Sequence, residues 1–359
     1  MTLAGFLAPG GVYVLVLLLH LIVPARLVDG YVISPETGQP YRYRLNGLIV
    51  YWLAVSLWVV ACASGLLAWD FFWTTRWESL CGACVFGLGF TGWIVLQAPP
   101  TGKGLLADLF LGRLENPQWL DGRVDAKMWL YLVGATMLGL NIYSFTMHHI
   151  RTFPDDPSPG VLLYTSLFTF FLTEYLFFEQ VHLYTYDFFA ERVGFKLGWG
   201  CLLFYPFFYA IGLWSLADAS NPHGSSALLV LAGVTFVLGW VFARGANMQK
   251  YVFKRDPSAV FLGVIAPKVV SDGDKQLLAS GFWGISRHVN YLGEFLMATG
   301  LTLSLGYPDA LTPWLYPVYY VALLVPRQID DDRRCALKYK SLWDEYVRRV
   351  PYRIVPGVY

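Results

Sequence analysis

Long apolar blocks constrain this sequence more than any other feature. Of its 359 residues, 56% are hydrophobic and 14% charged, whereas a typical soluble domain has about 25% charged residues. A helix of roughly 20 apolar residues crosses a bilayer core about 30 Å thick. Such blocks lie at residues 5–25, 47–69, 80–98, 127–148, 160–179, 194–217, 226–243, 291–307 and 311–325. With a re-entrant or interfacial segment near 258–266, they predict an all-α polytopic membrane protein of nine or ten transmembrane helices.

The basic residues predict how the chain is oriented. The loop 244–275 and the segment after Pro326 contain about half of the 26 Lys and Arg residues, and basic segments of this kind stay in the cytoplasm. Residues 291–325 would form a membrane hairpin, which returns the chain to the same side. We therefore expect transmembrane helices in 1–240, and a cytosol-facing half in 241–359 that ends in a cytosolic tail. The host membrane would be a bacterial inner membrane or the endoplasmic reticulum.

The cysteines do not indicate a metal site. Cys81 and Cys84 form a lone CxxC, without the second pair or the His ligands that zinc requires. We expect no metal and no nucleic-acid partner, and the sequence leaves the oligomeric state open.

Carboxyl groups at membrane depth indicate function, because they are costly unless they are paired or face a cavity. Glu174 and Glu179 lie near the end of one apolar block, and His182, Tyr184 and Asp187 follow. Glu174 is the deepest of these and is a candidate catalytic acid. A position at the water interface is the alternative for the others.

The last third of the chain contains motifs that are richer in polar, charged and aromatic residues. RGANMQKYVFKR places Lys250 and Lys254 on one helical face. GFWGISRHVNYLGEF places a group of polar and aromatic residues at the start of a predicted span. Beyond the hairpin, Arg327, Asp331, Cys335, Tyr339 and Trp343 recur at four-residue intervals. Arg, Asp and aromatic side chains on one face suit a phosphate, a ribose and a base; a basic juxtamembrane helix is the alternative.

These segments resemble the sterol reductase family, which includes Δ14-sterol reductases, 24(28)-sterol reductases, 7-dehydrocholesterol reductase and the membrane part of the lamin B receptor. LLVPRQIDDDRRCALKYKSLWDEYVRRVPYRIVPGVY is similar to the family pattern LLxHRxxRDxxxCxxKYGxxWxxYCxxVPYRIxPxIY. YRLNGL, DLFLGRLENP, TYDFFAERVGF, RGANMQKYVFKR and SRHVNYLGE match earlier family elements, so the resemblance covers nearly the whole chain. The departures include Pro326 for His, Lys340 for Gly and Gln118 for Arg.

The resemblance implies NADPH-dependent reduction of a sterol double bond, of the Δ14 type, on a substrate that enters from the bilayer lipids. It implies a set of cofactor-binding residues in the last third: Lys250, Lys254, Arg255, Trp283, Arg287, His288, Asn290, Tyr291, Arg327, Asp331, Cys335, Tyr339 and Tyr346. Protonation of an alkene requires an acid in a dry cavity. Glu174 and Asp331 are the candidates, and Asp331 also suits a cofactor-binding role.

Two other functions remain open at the level of sequence. A membrane methyltransferase of the isoprenylcysteine carboxyl methyltransferase type would share the membrane hairpin and an RHPxYxG-like segment, but would use S-adenosylmethionine. The lysines and arginines near the predicted site favour a phosphorylated dinucleotide instead. A non-catalytic sterol-binding protein is the third possibility.

Overall fold

The structure, a computed structural model, describes residues 2–359 and is mostly helical. The chain divides into two compact units, Met1–Pro222 and His223–Tyr359. The boundary predicted at 240/241 falls inside a helix that belongs entirely to the second unit.

The first unit contains most of the apolar helices. Its helices are α1 (Leu3–Ile22), α2 (Gly47–Ala63), α3 (Phe71–Thr74), α4 (Arg76–Val95), α5 (Leu105–Leu111), α6 (Ala126–Thr152), α7 (Pro159–Phe177), α8 (Glu179–His182), α9 (Tyr186–Phe189), a π-helix (Phe195–Phe204), α10 (Tyr205–Phe208) and α11 (Ile211–Leu216). Two antiparallel hairpins join them: β1 (Arg26–Ile33) with β2 (Pro40–Leu45), and β3 (Gln118–Trp119) with β4 (Val124–Asp125).

Helix α6 is the centre of the first unit. Its most apolar stretch is 83% buried, and helices α1, α2, α3, α7 and α10 pack against it. Asp125 caps its N-terminus, since the carboxylate accepts hydrogen bonds from the backbone N–H groups of Lys127 and Met128, both at 3.0 Å.

The second unit contains α12 (Ser226–Arg255), the hairpin of β5 (Val269–Ser271) and β6 (Gln276–Leu278), a 3₁₀ turn (Gly281–Gly284), α13 (Val289–Ser304), α14 (Leu311–Tyr339) and α15 (Ser341–Arg349). Helices α12 and α13 approach closely because glycines face the contact. A Cβ added at Gly293 would lie 2.4 Å from the backbone N of Ala243. Small residues allow this backbone-to-backbone contact.

Among residues 2–359, six helical segments are long and apolar enough to cross a membrane: α1, α4, α6, α7, the segment Phe195–Leu216, and α12. They support a membrane protein. Helix α2 has only 17 residues and α13 only 16, while the second half of α14 carries most of the charges of the tail. The count of nine or ten spans therefore stays a prediction.

The fold is mostly helical, as predicted, and three two-stranded hairpins in residues 2–359 lie in the loops between the predicted apolar blocks. The segment 258–266, predicted as re-entrant or interfacial, forms a tight turn closed by a bridge between Phe261 and Ile265. Its Leu262 and Val264 are exposed.

Candidate functional site

In the second unit, four side chains converge on the carboxylate of Asp332. We call them, with Asp332 itself, the Asp332 cluster. Its contacts are Gln328 Nε2 to Oδ2 at 2.7 Å, Arg287 Nη2 to Oδ2 at 3.3 Å, His288 Nε2 to Oδ1 at 3.1 Å and Arg353 Nε to Oδ2 at 3.7 Å. Arg287 and His288 were predicted from sequence; Asp332, Gln328 and Arg353 were not. The cluster joins α14 to the start of α13 and to the last segment of the chain.

The VPYRI segment is held by the turn that precedes α13. Arg287 Nη1 donates to the carbonyls of Val350 and Pro351, at 2.9 and 2.8 Å. The backbone N–H groups of Arg287 and His288 donate to the carbonyls of Tyr352 and Arg353. These bonds give the family-like VPYRI pattern a physical role, which is to hold the turn and the tail in one register.

Trp283 links two of the predicted cofactor residues. Its indole N–H donates to the carbonyl of Ala246 at 2.8 Å, and the ammonium of Lys250 lies 5.5 Å from its ring centre. Tyr346 Oη donates to the Trp283 carbonyl at 3.4 Å. The structure thus brings Lys250, Trp283 and Tyr346 together.

Cys335, Tyr339 and Tyr346 lie around an apolar cluster that also contains Trp343, Leu342 and Val350. Burial, assisted by the nearby Asp331 carboxylate, raises the pKa of Cys335 to about 12, so the thiol stays protonated. Lys250 and Lys338 are close enough to oppose that rise. The electrostatic neighbourhood of Cys335 therefore includes Asp331 and two lysines.

The four-residue series does not run along one helix to Trp343. Helix α14 ends at Tyr339, and Lys340 adopts φ 51° and ψ −125° before α15 begins. The series therefore turns away after Tyr339, and Trp343 packs in the apolar cluster instead. Lys340 stands where the family pattern has Gly, which explains that preference, because glycine adopts positive φ without steric cost.

The remaining predicted cofactor residues have different surroundings. Arg255 is exposed and donates to Tyr251 Oη at 2.7 Å. Lys254, Arg327 and Asp331 are half-buried. Tyr291 stacks on the ring of His288, with centres 5.1 Å apart. Asn290 Nδ2 is 3.5 Å from Asn247 Oδ1, while Asn290 Oδ1 is buried without a hydrogen-bond donor among residues 2–359.

In the first unit, Glu174 lies in α7 and is 8% exposed. Its backbone carbonyl accepts from Phe178 N–H at the end of that helix. A buried carboxyl in an apolar helix agrees with the burial expected from sequence.

A second buried carboxyl, Glu179 in α8, was not selected from sequence. Oε2 accepts from the Gly47 N–H at 3.1 Å, and the side chain lines a small cavity with Tyr131, Tyr175 and His182. Burial raises the pKa of Glu179 to about 7, although the Gly47 hydrogen bond and the charge of Arg26 oppose this. Its position near the end of an apolar block indicated, from sequence, a residue at the water interface.

Lys127 is also fully buried and was not singled out as functional. Its ammonium donates to Asn116 Oδ1 at 3.2 Å and to the carbonyls of Asp187 and Phe188 at 2.8 and 3.0 Å. Three oxygen acceptors satisfy the three donors of the ammonium. This arrangement ties α6 to the segment that contains α9.

Known proteins are similar to this chain over nearly its whole length, including the segments described above. The model of the "Ergosterol biosynthesis ERG4/ERG24 family" matches residues 10–359. A "Delta(14)-sterol reductase" of Arabidopsis thaliana is 32% identical over 349 residues, which covers 94% of this chain and 91% of the relative. A mouse (Mus musculus) protein of the same activity name is 30% identical, covering 95% and 82%. A "Probable 7-dehydrocholesterol reductase" of Acanthamoeba polyphaga mimivirus is 28% identical, covering 91% and 74%.

The match includes both the apolar helices and the segments that form the Asp332 cluster, so it is not confined to a membrane-spanning composition. It favours the reductase alternative over the methyltransferase alternative. The chain belongs to the ergosterol biosynthesis ERG4/ERG24 family, which is the sterol reductase family.

Proposed function

We propose that this protein reduces a carbon–carbon double bond of a sterol with NADPH, and that the bond is the Δ14 bond. The observation that carries the proposal is the family match over residues 10–359, together with relatives named Delta(14)-sterol reductase that cover 94% and 95% of the chain. The sterol, an apolar substrate, would enter from the bilayer.

The second unit offers groups that suit the cofactor. When bound, NADPH supplies a hydride to the alkene carbon that becomes cationic. Asn290 Oδ1, a buried acceptor without a donor among residues 2–359, suits an amide N–H such as that of nicotinamide. Lys250, Lys254 and Arg327 suit phosphate oxygens. The Nη groups of Arg287 already donate to protein oxygens, so we assign this residue to the framework of the site.

The proton would come from a carboxylic acid. We assign this role to Glu174, because its carboxyl group is buried in an apolar helix and alkene protonation requires an acid in a dry cavity. This acid would donate its proton to one alkene carbon. The carboxylate then regains a proton from solvent, so each turnover adds two hydrogens to the sterol. Asp331 is the second candidate for this role.

The test of the proposed function is a substrate panel. The purified protein is incubated with NADPH and with Δ7, Δ8,14, Δ24 or Δ24(28) sterols, and mass spectrometry detects a gain of two hydrogens. We expect this gain with the Δ8,14 sterol. Binding of S-adenosylmethionine but not NADPH would contradict the proposal, and binding of sterol without any turnover would favour a non-catalytic protein.

The proton donor is tested by isosteric variants. We expect Glu174→Gln to retain the fold and NADPH affinity, and to lower turnover at least about a hundredfold, the lower range for a lost general acid. Asp331→Asn is the paired variant. Near-normal turnover in Glu174→Gln, with no turnover but intact NADPH binding in Asp331→Asn, would move the acid role to Asp331.

A further inference from the structure

The carboxylate of Asp332 contacts four side chains, three of them through hydrogen bonds. Two donors, Gln328 Nε2 and Arg287 Nη2, share Oδ2, while His288 Nε2 uses Oδ1. The side chain of Asp332 is only 17% exposed, and those of Arg287 and His288 are 5% and 6% exposed. Contacts this sheltered from solvent are stronger than surface ion pairs, because water screens them less.

The carboxylate determines the protonation pattern of the His288 ring. Burial raises the pKa of Asp332, but the hydrogen bonds from His288 and Arg287 and the charge of the Arg287 guanidinium lower it below its ordinary value. Asp332 is therefore ionised at neutral pH and can only accept hydrogen bonds. His288 Nε2 must then carry the hydrogen. In the neutral ring, Nδ1 is left as an acceptor.

The orientation of His288 is fixed by several independent contacts. Asp332 holds Nε2, the ring stacks on Tyr291 at 5.1 Å with an interplanar angle of 22°, and the backbone N–H is bonded to the Arg353 carbonyl at 2.8 Å. Asn290, with its buried acceptor, follows two residues later. The start of α13 thus presents two acceptors, His288 Nδ1 and Asn290 Oδ1, in one turn of chain.

We infer that Asp332 is a positioning residue of the proposed cofactor site, which acts by holding His288 with its Nδ1 lone pair available to an N–H donor of NADPH. The inference rests on the proposed function. It differs from the sequence-based assignment, which placed the neighbouring Asp331 at the cofactor. A carboxylate that orients a functional histidine in this way is a common device in enzymes and metal sites.

The first test compares Asp332→Asn with Asp330→Asn. An amide at position 332 must place its NH₂ group either against Gln328 and Arg287, which are donors, or against His288 Nε2–H. We expect Asp332→Asn to raise the Kd and the KM for NADPH at least about tenfold, with a smaller change in kcat. Asp330 is the matched control, because it lies on the same helix and pairs with Arg334 at 2.7 Å on an exposed face. Asp330→Asn should bind NADPH normally.

The second test keeps the inference falsifiable if Asp332→Asn does not fold. In His288→Gln, the side-chain amide N takes the place of Nε2 and still donates to Asp332, but the Nδ1 acceptor is lost. We expect it to keep the thermal unfolding temperature of the wild type and to lose NADPH affinity at least about tenfold. In the double variant, Asp332→Asn should add little to that loss.

The outcomes are distinct. A lower unfolding temperature with unchanged NADPH affinity in both variants would mean that the Asp332 cluster is only structural, and would overturn the inference. Equal and additive losses from the two substitutions would also overturn it, because Asp332 would then not act through His288. Wild-type protein that binds no NADPH would instead refute the proposed function, whatever the variants do.

Discussion

Buried polar side chains have different kinds of partner in the two units. In the first unit, Lys127 is satisfied by one amide oxygen and two backbone carbonyls, and Asp108 by Thr101 and Arg113, which are seven and five residues away in sequence. In the second unit, Asp332 gathers charged and polar side chains from three separate segments. Both arrangements join segments that are distant in sequence, because Lys127 lies 60 and 61 residues from Asp187 and Phe188. They differ in their partners: Lys127 contacts mainly backbone carbonyls, whereas Asp332 contacts the side chains of the predicted cofactor residues Arg287 and His288. We therefore expect substitution of Lys127 to change stability, and substitutions in the Asp332 cluster to change cofactor binding.

The largest expected effect is from Lys127→Met. The substitution conserves volume roughly but leaves three buried oxygen acceptors and the neighbouring Asp125 without their cation. Breaking a buried charged contact typically costs about 3–5 kcal/mol of unfolding free energy. Denaturant or thermal unfolding in detergent measures the loss, with the exposed Lys103→Met as control. If Lys127→Met instead lost NADPH affinity with unchanged stability, the contrast between the units would be wrong.

Arg327→Ala should affect binding more than stability. Arg327 is half-buried on α14, and a charge-assisted contact to a phosphate is worth about 1.5–3 kcal/mol. We expect NADPH affinity to fall tenfold to hundredfold, while NADH affinity changes little. Exposed Arg333→Ala on the same helix is the control. Equal losses for NADPH and NADH would assign Arg327 to the pyrophosphate rather than to the 2′-phosphate.

The raised pKa of Glu179, in the first unit, predicts that the free energy of unfolding depends on pH. Burial raises the pKa of Glu179 to about 7. The stability that this group contributes is therefore fully present below its unfolded pKa of about 4.3, and it is lost as the pH rises through about 7. We expect unfolding free energy to decrease by on the order of 1–3 kcal/mol between pH 5 and pH 8. Glu179→Gln, which can still accept from Gly47, should flatten this dependence. An unchanged pH profile in that variant would show that another group titrates.

The smallest expected effect is from Lys340→Gly. Positive φ at a residue with a Cβ costs about 1–3 kcal/mol, and glycine avoids this cost. Part of the gain, about 0.5–1 kcal/mol, is lost because glycine has more conformational entropy in the unfolded chain. We therefore expect a stabilisation of about 1 kcal/mol in unfolding measurements. Ala336→Gly, inside the exposed face of α14, should destabilise by a similar amount. A destabilised Lys340→Gly variant would mean that the Lys340 side chain contributes contacts of its own.

The amino-acid sequence by itself determined the helical, apolar character of the chain, because hydropathy and length are local properties. It also determined the family, because YRLNGL, SRHVNYLGE and VPYRI are contiguous motifs. It gave a burial expectation for Glu174 that the structure bears out. It did not find the short hairpins, since two- to eight-residue strands between apolar blocks leave little periodicity.

Only the tertiary structure decided which of three consecutive aspartates contacts the side chains of Arg287 and His288. Asp330, Asp331 and Asp332 are chemically identical, and a helix turns their side chains about 100° apart. Asp330 pairs with Arg334 near the surface, whereas Asp332 meets Arg287, His288 and Arg353. Those partners are 45, 44 and 21 residues away in sequence, and only chain folding brings them within hydrogen-bond or ion-pair distance. Long-range electrostatic pairing of this kind has no signature in a single sequence, because it depends on which helix faces the folded chain presents to each other.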